Sequence, residues 1–127
     1  MTRTAHGYAA KSIDELPTIY EGFGKLVRAG LDITAFGVNM MDLPPDYSTS
    51  AHDESDTGQQ ELYVALRGSG SVDVDGTGLR LDADHLVRVD AGTSRVLSSG
   101  PYGLRVLCIG GVPGGAYVPP EWSASTA

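Results

Sequence analysis

The chain has 127 residues, the size of one domain, and enough length to bury one real core without staples. Lys and Arg number 9 against 16 Asp and Glu, a formal net charge of −7 that repels phosphate backbones and anionic lipid, so nucleic acid and membrane surfaces are poor partners. The single cysteine, Cys108, excludes an intrachain disulfide and a cysteine-rich metal site.

Residues 1–11 show no period and read as a loose start, with His6 inside it. The first ten carry no apolar h-region of a signal peptide, and no run approaches the roughly 18 apolar residues of a membrane span, so the cytoplasm is the expected compartment. Ser12 and Glu15 have capping-box spacing, and Pro17 limits the helix they start to about one turn. Residues 25–28 then read as a short strand. Residues 31–40 alternate, with Leu31, Ile33 and Ala35 on one face, and read as a second strand that ends before Pro44 and Pro45. Residues 46–60 form a polar loop of a length that usually has a function. Residues 61–67 are the strongest strand, with Glu61, Tyr63 and Ala65 sharing a face.

The reading continues as a meander. A turn is expected at Gly68-Ser69-Gly70, then a strand at 71–75, a turn at 76–78 and strands at 79–81, 86–89, 95–97 and 104–109. Cys108 lies in the last of these and reads as a small buried hydrophobe. Arg67 and Arg88 are expected to face solvent, and His85 to sit in a turn. The tail from Gly110 onward is too rich in Pro and Gly for a central strand, but Tyr117 and Trp122 suggest that it is stapled onto the barrel or onto a partner. Eight or so short strands with almost no helix predict an all-β sandwich or barrel. The expected divisions are an N-terminal segment (1–23), a barrel (24–112) and a tail (113–127).

Two motifs carry a resemblance. Glu61 followed by six residues and Gly68, and Asp84 followed by five residues, Asp90-Ala91-Gly92, two residues and Arg95, stand in order on either side of a hairpin. This pattern resembles the cupin family, whose fold is a double-stranded β-helix, or jelly roll. In metal-binding cupins two His and the Glu of the first motif join a His of the second around one metal. Here His52 is the only histidine of the first motif, Glu54 stands in the second His position, and Arg95 replaces the histidine of the second motif. Arginine offers no lone pair and cannot be a ligand. The remaining set is His52, Glu54 and Glu61, which could hold a divalent ion such as Mn, Fe or Zn.

Glu61 on an inward face needs a partner, and Arg95 is the candidate. That pair could fix the barrel, or Arg95 could bind an anionic ligand with Glu61 as a general base. Three readings stay open. The first is a metal-free pocket for a small anionic molecule, with His52, Glu61, Tyr63 and Arg95 as its polar groups. The second is a metal-dependent oxygenase, isomerase or epimerase. The third is a structural barrel filled by its own side chains. The resemblance also implies a homodimer.

Overall fold

A computed structural model describes residues 7–123, so His6 and the first part of the loose N-terminal stretch lie outside the described residues. Seven strands are present: β1 (Thr18–Ile19), β2 (Gly24–Lys25), β3 (Gly37–Leu43), β4 (Gln60–Val74), β5 (Thr77–Leu81), β6 (Val87–Val89) and β7 (Val96–Gly111). One short helix, α1 (Val27–Leu31), and three 3-10 turns complete the set. The expected all-β jelly-roll barrel with little helix is what the chain forms. No helix among the described residues is long and apolar enough to cross a membrane.

The barrel rests on its two long strands. β4 and β7 pair antiparallel along their whole length, and both bend midway. The first half of β4 pairs with the end of β7 and with β6, and β3 and β2 continue that sheet. The second half of β4 pairs with the start of β7 and with β5. The sheets face each other across a core of Leu43, Tyr63, Ala65, Val72, Leu81, Val87, Val89, Leu97, Leu104 and Val106.

Gly68-Ser69-Gly70 is therefore not a turn. It is a bulged bend inside β4, with one register shift just before it and one between Gly68 and Gly70. A Cβ on Gly68 would run into the carbonyl of Gly103, and one on Gly70 into the carbonyl of Ser98. Gly68 also has φ of 77°, so glycine serves here for close approach and for backbone at once. Likewise, the strands expected at 95–97 and 104–109 are one strand, with residues 100–103 left out of the β4 register at the bend. The tail's first glycines, Gly110 and Gly111, end β7 instead of leaving the sheet. The hairpin turn after β4 is Asp75-Gly76, both left-handed, and Thr77 and Gly78 already belong to β5.

The other departures lie near the N-terminus. The Ser12–Glu15 box forms, with Ser12 N–H donating to Glu15 Oε1 at 2.8 Å around the turn Ile13–Glu15. Only Gly24 and Lys25 of the next stretch are strand, and residues 27–31 close into α1. Small residues allow it: a Cβ on Gly30 would stand 2.7 Å from Leu16 Cδ2 and 3.0 Å from Pro17 Cδ. Arg28 holds the helix in place, donating to Ile33 O at 3.2 Å and Ser123 O at 2.6 Å. Asp32 ends α1 in the left-handed region, so β3 begins only at Gly37 and runs to Leu43. The alternation at 31–36 is a local coincidence. Pro44 and Pro45 do terminate pairing.

The polar loop at 46–59 is better ordered than a free loop. It runs beside β7 as a broken edge strand: Thr49 N–H donates to Leu97 O at 2.9 Å, and His52 and Arg95 exchange backbone bonds of 3.1 and 2.9 Å. This pairing brings His52 to the site.

Candidate functional site

The site is built from rows of residues across the first sheet. Cross-strand partners share a face. Glu61 stands opposite Gly110, which stands opposite Gly37, and Tyr63 stands opposite Cys108, which stands opposite Asn39. The two glycines leave room beside Glu61, and the tail and loop fill it: a Cβ on Gly37 would lie 3.0 Å from Tyr117 Cε1 and 3.1 Å from Gln59 Oε1.

Arg95 lies behind this wall, its side chain wholly covered. Nη1 donates to Glu61 Oε1 at 2.8 Å and to Tyr63 Oη at 3.2 Å, Nη2 to Asp90 O at 2.7 Å, and Nε to Thr93 O at 3.1 Å. Tyr63 in turn donates to Glu61 Oε1 at 2.6 Å. Among the described residues, the hydrogen bonds of the Glu61 carboxylate fall on Oε1, which leaves Oε2 for the cavity. Burial holds the Glu61 carboxyl above the usual range, outweighing the Tyr63 hydrogen bond and the charge of Arg95. Burial likewise pushes the Tyr63 hydroxyl and the Cys108 thiol far up, so both stay protonated.

His52 and Glu54 form a second pair at the cavity, with Nε2 and Oε2 3.3 Å apart. Glu54 is placed by its own turn: its N–H donates to Ala91 O at 2.7 Å, and Thr57 donates to its Oε1 at 3.0 Å. The hydrogen bond to Glu54 raises the His52 imidazole, and that to His52 lowers the Glu54 carboxyl.

His52, Glu54, Glu61 and Tyr63 all line one cavity of about 580 Å³, within the size range of small-molecule sites. Beyond this cavity the barrel interior is filled by the core side chains. Arg95 is not among the lining residues. The sequence reading missed Asn39 and Gln59 in the wall, and the aromatic residues Tyr20, Phe23 and Tyr47 near the opening. Tyr117 and Trp122, conspicuous in a Pro/Gly-rich tail, do pack over the site. Asn39 Oδ1 is buried without a hydrogen-bond partner among the described residues. Arg67 and Arg88 face solvent as expected, and His85 sits in a turn with Nδ1 2.7 Å from Asp82 Oδ1. Cys108 is only partly buried and packs between the core and the cavity.

The donor set has the spacing of a metal site. One atom each from His52, Glu54 and Glu61 lies within 4.8 Å of the others. Two ligands each about 2.1 Å from a tetrahedral ion stand about 3.4 Å apart, close to the 3.3 Å between His52 and Glu54. Without an ion, Glu61 is already paired with the Arg95 guanidinium and Glu54 with the His52 ring.

No protein-family model matches the chain, and no curated protein matches it with significance. Solved structures do. A cupin protein from Bacteroides fragilis superposes with a TM-score of 0.68 at 20% identity, covering 97% of this chain and 98% of that one. A predicted oxalate decarboxylase from Thermotoga maritima gives 0.54 at 26% identity, covering 62% and 68%. A cupin 2 conserved barrel domain protein from Salinispora arenicola gives 0.51 at 17% identity, covering 60% and 62%.

Proposed function

We propose that this cupin-fold chain binds a small molecule in its barrel cavity, without a standard metal centre, through a head group that donates hydrogen bonds. The pairing at the cavity floor carries this reading. Arg95 holds Glu61, His52 holds Glu54, and the guanidinium that would attract an anion is covered. The acceptor left for a ligand is Glu61 Oε2, beside the Glu54 carboxylate that His52 and Thr57 hold. A hydroxyl or amino head suits these groups, and an anionic head meets two carboxylates. Thermal-shift screening of matched alcohols, amines and carboxylates tests the reading. Stabilisation by alcohols or amines is expected, and stabilisation by carboxylates alone overturns it.

The spacing of the three donors favours a second reading, a divalent cation held by His52 Nε2, Glu54 and Glu61 Oε2. Such an ion would supply Lewis acidity to a bound substrate. It would have to displace the proton between His52 and Glu54 and share Glu61 with Arg95. Mass spectrometry of untagged protein decides: about one equivalent of metal, lost in His52→Ala, replaces the first reading with this one.

A further inference from the structure

We infer, building on the metal-free cavity reading above, that the ligand carries a flat, aromatic end, gripped at the cavity mouth by Tyr20, Phe23, Tyr47 and Trp122 while its donor head lies against Glu61. Six of the chain's nine aromatic residues line this one cavity, so its aromatic character is a property of the site and not of the composition. Four of the six are open to solvent: Tyr20 is 70% exposed, Trp122 58%, and Phe23 and Tyr47 40% each. Glu61, with its side chain 15% exposed, lies deeper. The cavity thus runs from an aromatic mouth to a polar floor.

The backbone that carries the rings is tied down before any ligand arrives. The rings come from three separate segments, each held at a main-chain carbonyl. Asp42 N–H donates to Phe23 O at 2.8 Å, Ser99 N–H to Tyr47 O at 2.8 Å, and Arg28 fixes the turn Glu121–Ser123 beneath Trp122 through Ser123 O. Phe23 and Tyr47 meet edge to face, with centroids 6.0 Å apart and planes at 74°. That geometry is favourable for the pair and leaves ring surface free for a third ring.

Tyr20 gives the sharpest sign. Its φ is 55°, and Glu21 and Gly22 follow at 55° and 96°. A bulky residue in the left-handed region is strained, and such strain concentrates where a side chain serves a ligand. Burial does not repay it here, since the ring is mostly exposed. Placing the ring at the mouth does.

The test uses Trp122, the only tryptophan, as a fluorescent reporter in the full chain. Phenethyl alcohol, cyclohexylethanol and propanol vary the tail on one head; phenethylamine and hydrocinnamate vary the head on one tail. Phenethyl alcohol or phenethylamine is expected to shift Trp122 emission and bind roughly three- to tenfold tighter than cyclohexylethanol, the preference of one aromatic contact. Equal or tighter binding of cyclohexylethanol overturns the flat-end inference and leaves the cavity reading standing. Preference for hydrocinnamate overturns the donor-head reading and keeps the flat end. No binding by any of the five overturns both. Tyr20→Gly supplies a readout that a structural role would not give: melting temperature unchanged or higher, with the aromatic preference reduced. Retention of the full preference in both Tyr20→Gly and Phe23→Ala overturns the proposal.

Discussion

Arg95 Nη1 lies 2.8 Å from Glu61 Oε1, and the same oxygen accepts the Tyr63 hydroxyl at 2.6 Å. One carboxylate oxygen therefore serves two donors inside the wall, and the other is left for the cavity. The guanidinium has become part of the barrel's frame, tied also to the carbonyls of Asp90 and Thr93.

Arg95→Leu strands Glu61 and both carbonyls. Breaking a buried pair by removing one partner costs about 3–5 kcal/mol, and urea unfolding should show a loss of that order. The double variant Glu61→Gln with Arg95→Leu should recover part of it, because the stranded charge is gone. Equal stabilities for wild type and Arg95→Leu would contradict the buried pair.

His52 should titrate above its ordinary value near pH 6.5, because Glu54 favours the imidazolium. A folded-state value raised above the unfolded one stabilises the fold fully below about pH 6.5, and that stability is lost as pH rises through the folded value. The side chain is 43% exposed, so the effect is small, within about 1 kcal/mol after screening. An NMR titration of the His52 ring checks the direction, and Glu54→Gln should bring the midpoint back down. A midpoint below the ordinary value in wild type would point to a bound cation.

Gly68→Ala and Gly76→Ala separate space from strain. Both glycines have positive φ, but a methyl group on Gly76 would meet nothing within 4 Å, while at Gly68 the Gly103 carbonyl stands in the way. Gly76→Ala should cost about 1 kcal/mol, the backbone term alone. Gly68→Ala should cost clearly more, at least about 2 kcal/mol, with collapse of the bend in β4. Similar melting temperatures for the two variants would show that the close approach is not real.

The outward face of β4 carries an apolar strip, bordered by Arg88 opposite Leu62. Leu62, Val64 and Leu66 alternate with the inward residues of β4, and Leu62 and Val64 stand opposite Ile109 and Leu107. Leu66 is 49% exposed. An open strip of this kind favours a second copy of the chain as its cover. Light scattering should give twice the 13.3 kDa of one chain, and Leu66→Lys should shift the mass toward the monomer.

Several features follow from the chain's local chemistry. Glu61, Tyr63 and Ala65 share a face because strand side chains alternate, and Pro44 and Pro45 end β3 because proline cannot donate to a ladder. The spacing of Glu61 with Gly68 and of Asp84 with Arg95 suggests the fold only through its resemblance to the cupin motifs. The capping box at Ser12 is likewise a matter of local geometry.

What local pattern did not decide was long-range. Gly68-Ser69-Gly70 has the composition of a turn, and only the carbonyls of Gly103 and Ser98, far along the chain, make it a bend within one strand. Residues 25–28 and 31–36 have the look of strands, but residues 27–31 close into α1, where Gly30 fits against Leu16 and Pro17. The cavity is the same case. By itself the sequence determined that Glu61, Tyr63 and Ala65 share one face of a strand, because alternation is set by bonds along the chain. Tertiary structure alone decided that Arg95 stays behind the wall and that residues as far apart as Tyr20, Tyr47 and Trp122 line one cavity, because burial and close approach depend on which distant segments pack together.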